Sequence, residues 1–275
     1  LQFINHGVFE KLEDDSVEVR IDVFEGEKLI IEKINIAGNT VTNDSVIRGE
    51  LLVDEGDPYS ELLVNKSINE IKARNLFAKV EQKTLPGSTD GLKILEITVE
   101  EKATGELMAG AGIGTDGTSF QFAISENNWL GRGIKLNSSV NVTERTLAGD
   151  FSILNPNYNY TGNAVFTSLF LSSSDMTTSS GYKNSKTGFS LGTEFEQYEN
   201  IYFSPAVSLT YEDINVQSSA SKHLKTMDGT YTNFDFRYAI TWDNRNQVFQ
   251  PTAGYTAKFL QALPIIQDSS AILNG

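Results

Sequence analysis

Cysteine is absent from these 275 residues, histidine occurs only at His6 and His223, and lysine and arginine together number 22 against 36 acidic residues. The first absence excludes a disulfide framework, a thiolate nucleophile and zinc-ribbon spacing, although it fixes no compartment. The second leaves little for acid–base or metal chemistry, because one histidine lies near the N-terminus and the other in a Ser-rich stretch. The third gives a formal charge of −14, which excludes the clustered basic surface that nucleic acid requires. Long apolar runs are missing too: no window approaches the roughly 18 consecutive apolar residues of a membrane-spanning helix. Such a chain crosses a membrane only as a closed barrel, the other structure that satisfies every backbone group in lipid. Leu1-Gln2-Phe3 opens neither a basic segment nor the apolar core of a signal peptide, so the sequence is expected to be a piece of a longer protein.

Glycine, by contrast, sits where it looks chemical. Gly112, Gly114 and Gly117 satisfy G-x-G-x-x-G, the spacing of a dinucleotide-binding loop. That motif needs a helix beginning on its last glycine and an acidic residue about 20 positions further on. Here Phe120, Phe122 and Ile124 alternate with Ser119, Gln121, Ala123 and Ser125, and Asn137 stands where the carboxylate belongs. A period of two is a strand, so these glycines are not read as a phosphate cradle.

Two textures meet near residue 104. Before it, Leu, Ile, Glu and Lys dominate and helical periodicity appears. Strands are expected over 16–24 and 29–36, the second closed by Gly38-Asn39. A short helix is expected from a cap at Thr42 or Asn43 through Val46, Ile47 and Leu51. Ser60 caps a longer helix with Leu63, Val64, Ile68, Ile71 and Leu76 on one face, and Asn75 takes the left-handed position at its end. Strands over 78–84 and 92–100 complete a β-α-α-β-β order, a small α+β domain over 27–103. Residues 1–26 then read as the end of a preceding copy, and 104–275 as a second architecture.

Past residue 104 every readable segment alternates. Leu107, Ala109, Ala111 and Ile113 oppose Met108, Gly110, Gly112 and Gly114; Phe234, Phe236, Tyr238, Ile240 and Trp242 oppose Asp235, Arg237, Ala239, Thr241 and Asp243. Segments of roughly 10 residues, oily on one face and charged on the other, are expected of an outer-membrane barrel. A soluble antiparallel sandwich alternates as well. The barrel is preferred because Trp129, Tyr158, Tyr160, Tyr202 and Phe249 gather at the turns 127–133, 155–162, 199–205 and 244–254, as an interfacial girdle does. About nine strands are expected, an incomplete antiparallel transmembrane barrel.

These residues resemble the BamA family of outer-membrane protein assembly factors, which joins POTRA domains to a sixteen-stranded barrel. The resemblance rests on Gly56-Asp-Pro-Tyr59 and Leu76-Phe-Ala-Lys-Val80, and on Glu126-Asn-Asn-Trp-Leu-Gly-Arg-Gly133, Leu154-Asn-Pro-Asn-Tyr158 and Trp242-Asp-Asn-Arg-Asn-Gln-Val-Phe-Gln-Pro-Thr-Ala-Gly254. It departs at Asn75, where the family commonly has glycine, and it lacks the family's lumenal Arg-Gly-Phe/Tyr loop. The resemblance implies a last POTRA domain and the N-terminal part of a barrel, in the Gram-negative outer membrane with the POTRA domain in the periplasm.

It further implies that Leu107, Ala109, Gly110, Ala111, Gly112, Ile113 and Gly114 form a gate strand that pairs with a substrate strand; the alternative is that the glycines only relieve crowding. Ala78, Val80, Gln82 and Thr84 would be a POTRA edge strand that adds an extended peptide, or else part of a plain spacer. Trp129, Gly131, Pro156, Tyr158, Asp243, Pro251 and Gly254 would form periplasmic turns and girdle. Implied partners are unfolded outer-membrane proteins, periplasmic chaperones, accessory assembly lipoproteins and the lipid bilayer, with no nucleic acid. No cofactor, metal or enzymatic activity is implied. His223 with Ser219 and Ser221 reads as a solvated loop, and Glu194 and Glu196 as lining charges. The function expected is insertion of barrel proteins, and the alternative is a two-partner-type secretion pore for one exoprotein.

Overall fold

The computed structural model describes residues 4–13, 16–25, 28–114, 117–246 and 251–267. Part of the N-terminal segment, the 26/27 boundary, Thr115 and the girdle residue Phe249 therefore lie outside the described residues. Two units divide between Lys102 and Ala103.

The first unit opens with strands β1 (Ile4–Glu13) and β2 (Ser16–Glu25), an antiparallel pair in which Val8 faces Ile21. The strand over 16–24 was legible, but its partner β1 was not. Next come β3 (Ile30–Ala37), α1 (Asp44–Arg48), α2 (Glu61–Ala73), β4 (Phe77–Pro86) and β5 (Leu92–Glu101). Their sheet has the order β3-β5-β4, with β5 parallel to β3 and antiparallel to β4. Strict alternation makes β5 the central strand: Leu95, Ile97 and Val99 all point into the core. Val46, Ile47, Val64, Ile68 and Ile71 cover them from the helices. Each such aliphatic side chain contributes about 1.5–3 kcal/mol when fully buried, so packing rather than intrinsic propensity holds helices this short.

The flanking strands do not alternate strictly. In β3 the buried pair is Ile31 and Ile34, and in β4 it is Phe77 and Val80. Each pair brackets a register shift against β5, at Ile31/Lys33 and at Phe77/Lys79. An extra residue flips side-chain parity, which lets residues three apart share a face. Helix α1 is shorter than the sequence suggests: it stops at Arg48, and Leu51 lies beyond it, packed against the core. Asn43 stands at its cap position without a side-chain hydrogen bond. In α2, Ser60 caps as expected, its Oγ accepting from the Leu63 amide. Leu63 itself is exposed, and Ser67 is buried in its place. Ser67 is satisfied there, its Oγ donating to Leu63 O at 2.8 Å and accepting from Leu52 N at 2.8 Å.

The second unit is one antiparallel sheet: β6 (Gly105–Gly114), β7 (Gly117–Trp129), β8 (Ile134–Thr143), β9 (Thr146–Asn155), β10 (Ala164–Met176), β11 (Tyr182–Tyr198), β12 (Ile201–Val216), β13 (Gly229–Asp243) and β14 (Thr256–Gln267). The strands lie in sequence order, nine in all among the described residues, with β6 and β14 at the edges. Among the described residues the sheet is not closed. Several strands exceed the expected length, β11 reaching 17 residues. Pairing there continues through Lys183 opposite Asn215 and Ser185 opposite Asp213, so the ladder outlasts the apolar band from which the length was read.

Register identifies the faces. One row crosses all the strands: Leu107, Ile124, Ser138, Phe151, Leu169, Phe189, Leu209, Phe234 and Ile266. The row beside it, on the other face, reads Met108, Ala123, Ser139, Asp150, Phe170, Gly188, Thr210, Asn233 and Gln267. The buried members of β12 and β13 are on this second, polar face, Ser208 at 5% and Thr210 at 6% exposure, while Leu209 between them is 47% exposed. A sandwich would bury its apolar face. This sheet presents it outward, the arrangement of a barrel wall.

Candidate functional site

Strand β6 hydrogen-bonds to β7 on one side, and among the described residues nothing pairs with its other side. Every residue of it is exposed, Leu107 at 83% and Ile113 at 91%. Leu107, Ala109 and Ala111 lie opposite Ile124, Phe122 and Phe120 on the apolar face. Gly110, Gly112 and Gly114 fall on the polar face, where a Cβ added at Gly110 or Gly114 would meet nothing within 4 Å. At Gly112 the neighbour would be Ser119 Oγ, 3.1 Å away. Among the described residues, therefore, nothing crowds positions 110 and 114. At 110, 112 and 114 the polar face carries no side chain, so these positions add no cross-strand packing there.

Its foot is different. Thr104 Oγ1 donates to Glu126 Oε1 at 2.5 Å, and the Asn127 amide and Asn127 Nδ2 donate to Thr104 O at 3.2 and 3.3 Å. Glu126 Oε1 also accepts the Asn128 amide at 2.7 Å. Asn128, buried, accepts the Gly133 amide on Oδ1 at 2.8 Å and so closes the turn. Gly105 faces Glu126, and a Cβ there would stand 2.8 Å from Glu126 Oε2. The sequence flagged this stretch as a family motif and as turn and girdle; its role as the footing of β6 was not legible, because it depends on Thr104 meeting Glu126 across the hairpin.

The turns at 130–133, 156–163, 199–200 and 244–255 join alternate strand pairs, so antiparallel order puts them all at one end of the sheet. Trp129, Tyr158, Tyr160, Trp242 and Tyr255 are exposed there, Trp242 meeting Tyr255 edge-on at 5.1 Å. Gly131 has φ 70° and Gly254 φ 92°, and a Cβ on Gly254 would stand 2.0 Å from Asn244 O, so only glycine fits. Pro156 precedes Asn157, whose Oδ1 accepts the Gly162 amide at 2.8 Å, and Pro251 precedes Thr252 and Ala253, whose amides both donate to Asn246 Oδ1. Asp243 receives Arg245 Nε at 2.7 Å and Nη2 at 2.5 Å.

One girdle assignment fails. The turn read over 199–205 is only Glu199 and Asn200, with Asn200 in the left-handed region at φ 64°. Tyr202 lies in β12 on the polar face, opposite Thr241. Asparagine tolerates φ > 0, so two residues suffice, and Pro205, which suggested a longer loop, is accommodated within the strand opposite Tyr238.

In the small unit β4 is one of the two edge strands, β3 being the other. Ala78 falls at its bulge and is exposed, whereas Val80 is buried. Gln82 and Thr84 share the side of Val80, and Thr84 Oγ1 hydrogen-bonds with Tyr59 Oη at 3.2 Å. The outward side belongs to Lys79, Glu81 and Lys83, with Lys79 Nζ and Glu81 Oε1 2.8 Å apart. That hydrogen bond lowers the Glu81 pKa and raises that of Lys79. The four residues singled out from sequence therefore do not form one recognition face. Nearby, Glu101 at the end of β5 gathers Thr40 N, Thr40 Oγ1, Val41 N and Thr42 N at 2.6–3.2 Å. Desolvation pushes its pKa up, but these hydrogen bonds outweigh it and hold the carboxyl at about 2. The loop amides before α1 are thus met by Glu101, while Asn43, at the cap position, makes no side-chain cap hydrogen bond.

The other polar residues singled out from the sequence have partners elsewhere. Ser221 Oγ accepts the Leu224 amide and Ser219 Oγ donates to Gln217, so neither is paired with His223. Glu194 accepts from Ser204 and Glu196 from the Asn200 amide. Among the described residues no group of three or more His, Cys, Asp or Glu could hold a metal ion.

An outward-facing apolar wall with an open edge strand, joined in sequence to a small α+β unit, defines a membrane β-barrel protein with an appended domain. The family model described as the Omp85 superfamily domain matches residues 128–271, more than half of the chain, and that for POTRA, described as surface antigen variable number repeat, matches 29–102. The chain belongs to the Omp85 superfamily. It is 28% identical over 254 residues to the outer membrane protein assembly factor BamA of Neorickettsia risticii (strain Illinois), a match covering 88% of this chain and 33% of that one. Among solved structures it resembles BamA from Haemophilus ducreyi lacking POTRA domains 1–3, with a TM-score of 0.66, 22% identity, and coverage of 95% of this chain and 53% of that one. CdiB from Escherichia coli shares the fold with a TM-score of 0.55 and 13% identity, over 96% of this chain and 50% of that one. The chain spans about a third of the length of the curated relatives it matches.

Proposed function

We propose that this chain is the POTRA-and-early-barrel portion of an outer-membrane insertase, and that β6 is where a substrate strand adds. The observation that carries this is an exposed edge strand, glycine-lined on one face, held by backbone bonds along its length and anchored at its foot. An incoming strand satisfies the free amides and carbonyls of β6, each bond contributing about 0.5–1.5 kcal/mol net. Most sheets suppress such an edge; here it is the working surface. No cofactor or catalysis enters, because the substrate's own folding supplies the free energy. The POTRA edge β4 offers a second place for an extended peptide through its main chain, and β1–β2 are read as the end of a preceding POTRA domain. Unfolded barrel proteins, the chaperones that deliver them and accessory lipoproteins are the proposed partners, in the Gram-negative outer membrane with the POTRA domain in the periplasm.

The test is depletion of the whole protein in its host, followed by quantification of folded, heat-modifiable barrel proteins in the outer membrane. A general loss of unrelated barrels supports the insertase. Loss of one exported protein with the other barrels intact moves the chain to the secretion-pore class.

A further inference from the structure

On the polar face of the large sheet the acidic side chains have partners, with one exception. Asp235 lies 3.8 Å from Arg237, and Glu212 lies 3.8 Å from Lys186 and accepts Asn184 Nδ2 at 2.9 Å. Asp150 accepts from Ser139, Glu194 from Ser204, Glu196 from the Asn200 amide and Asp243 from Arg245. Glu106, in β6, is exposed and meets no hydrogen-bond or ion-pair partner among the described residues. On its β7 side it faces Ser125, whose Oγ is already committed to Asn137 Oδ1 at 2.8 Å. On its other side β6 is an edge, so the remaining place for a cation is a strand added there.

Position matters as much as charge. If an added strand slips by one residue, its oily side chains turn to the polar face; a slip of two residues keeps the faces, and main-chain bonds alone do not prevent it. From Ala109 to Gly112 β6 offers only alanine and glycine, a run that specifies register weakly. Glu106 is the one charged residue in Gly105–Gly114. It also stands two residues from Thr104, whose hydrogen bonds to Glu126 and Asn127 fix the foot of the strand. A register mark is useful only on the part of a strand that stays in place.

We propose that Glu106 is the register key of this edge: it selects a strand that carries a lysine or arginine on its polar face and aligns that residue opposite itself. Opposite charges across a strand pair are stabilising and like charges are destabilising, so the same carboxylate disfavours a strand with an acidic residue at that position. This rests on strand addition at β6, as the proposed function requires, and adds which strands are preferred and in what alignment.

Cysteine is absent from the chain, so alignment can be read by disulfide trapping in the whole protein, with any cysteine elsewhere replaced by serine. Met108→Cys, next to Glu106 on the polar face of β6, is combined with a barrel substrate bearing one cysteine at a time along the polar face of its edge strand. The substrate also carries a single lysine on that face, placed in turn at two positions two residues apart. The dominant disulfide should move by two residues when the lysine does. Glu106→Gln should weaken that preference roughly two- to fivefold, and Glu106→Lys should restore it for a substrate whose lysine is replaced by glutamate. Glu106 has no partner to lose among the described residues, so these variants should fold, which heat-modifiability checks. A dominant disulfide that ignores the lysine, in wild type and Glu106→Gln alike, would overturn the key and leave strand addition at β6 standing. Assembly of the substrate with no disulfide from β6 at any position would remove both.

Discussion

Phe170 lies across Gly188 on the polar face of the sheet, directly paired with it between β10 and β11, so close that a Cβ at 188 would stand 2.3 Å from the ring. Phe166 covers Gly192 in the same way. An aromatic laid over a cross-strand glycine restores packing that the glycine forfeits. Gly188→Ala is expected to cost about 1–3 kcal/mol through overpacking, read as a lower unfolding midpoint in detergent. Combining it with Phe170→Leu should recover most of the loss; additive losses in the double variant would show that the ring is not the cause.

Glu101 gives a pH dependence. Desolvation raises its pKa, but the Thr40–Thr42 hydrogen bonds outweigh it and lower the carboxyl from its ordinary 4.5 to about 2. A depressed folded-state value means stabilisation that is complete above the unfolded pKa and is lost as pH falls from about 4.5 towards 2. The amide resonances of Val41 and Thr42 should titrate near the lower end of that window. Glu101→Gln should be less stable at neutral pH and nearly flat across the window; an acid slope equal to wild type would remove Glu101 from this role.

The edge strand makes the proposed function testable residue by residue. Photo-crosslinkers at Ala109 or Ala111 should capture a folding barrel substrate, and those at Ser139 or Asp150, inside the sheet, should not. Equal yields at all four positions would count against strand addition at β6. At Gly110→Ala the added Cβ meets no neighbour within 4 Å among the described residues, so the variant should fold normally, and any loss of assembly activity would then report on the exchange step.

Parity in β4 separates core from edge. Val80→Asp places an uncompensated charge in the core and should cost on the order of 3–5 kcal/mol. Glu81→Ala removes only an exposed ion pair with Lys79 and should stay within about 1 kcal/mol. Urea unfolding monitored in the POTRA unit would expose a wrong assignment if the two effects were similar.

The contrast between these residues shows what was legible. Alternation sufficed for β5 and for the nine strands of the sheet, where Leu107 through Ile113 and Phe234 through Trp242 keep a period of two in sequence and structure alike. It misled at Ala78 and Val80 because a bulge resets parity without altering composition. The Ser60 cap and the left-handed Asn75 followed from local chemistry and are present. The Glu101 loop clasp and the Thr104–Glu126 footing were not readable, since each joins residues about 20 to 60 positions apart that carry no local signal. Tyr202 was misplaced because Pro205 suggested a loop where the strand continues.

The consecutive order of β6 to β14 has a kinetic meaning. Each strand pairs with its sequence neighbour across a short connection, so the wall has low contact order and can zip hairpin by hairpin as the chain becomes available. Among the described strands β6 is separated from β14 by the whole wall, and closing a loop of that length carries an entropy cost that grows only as the logarithm of the length. Pairing is thereby local throughout the described wall, and any long-range pairing is left to its two edges, β6 and β14.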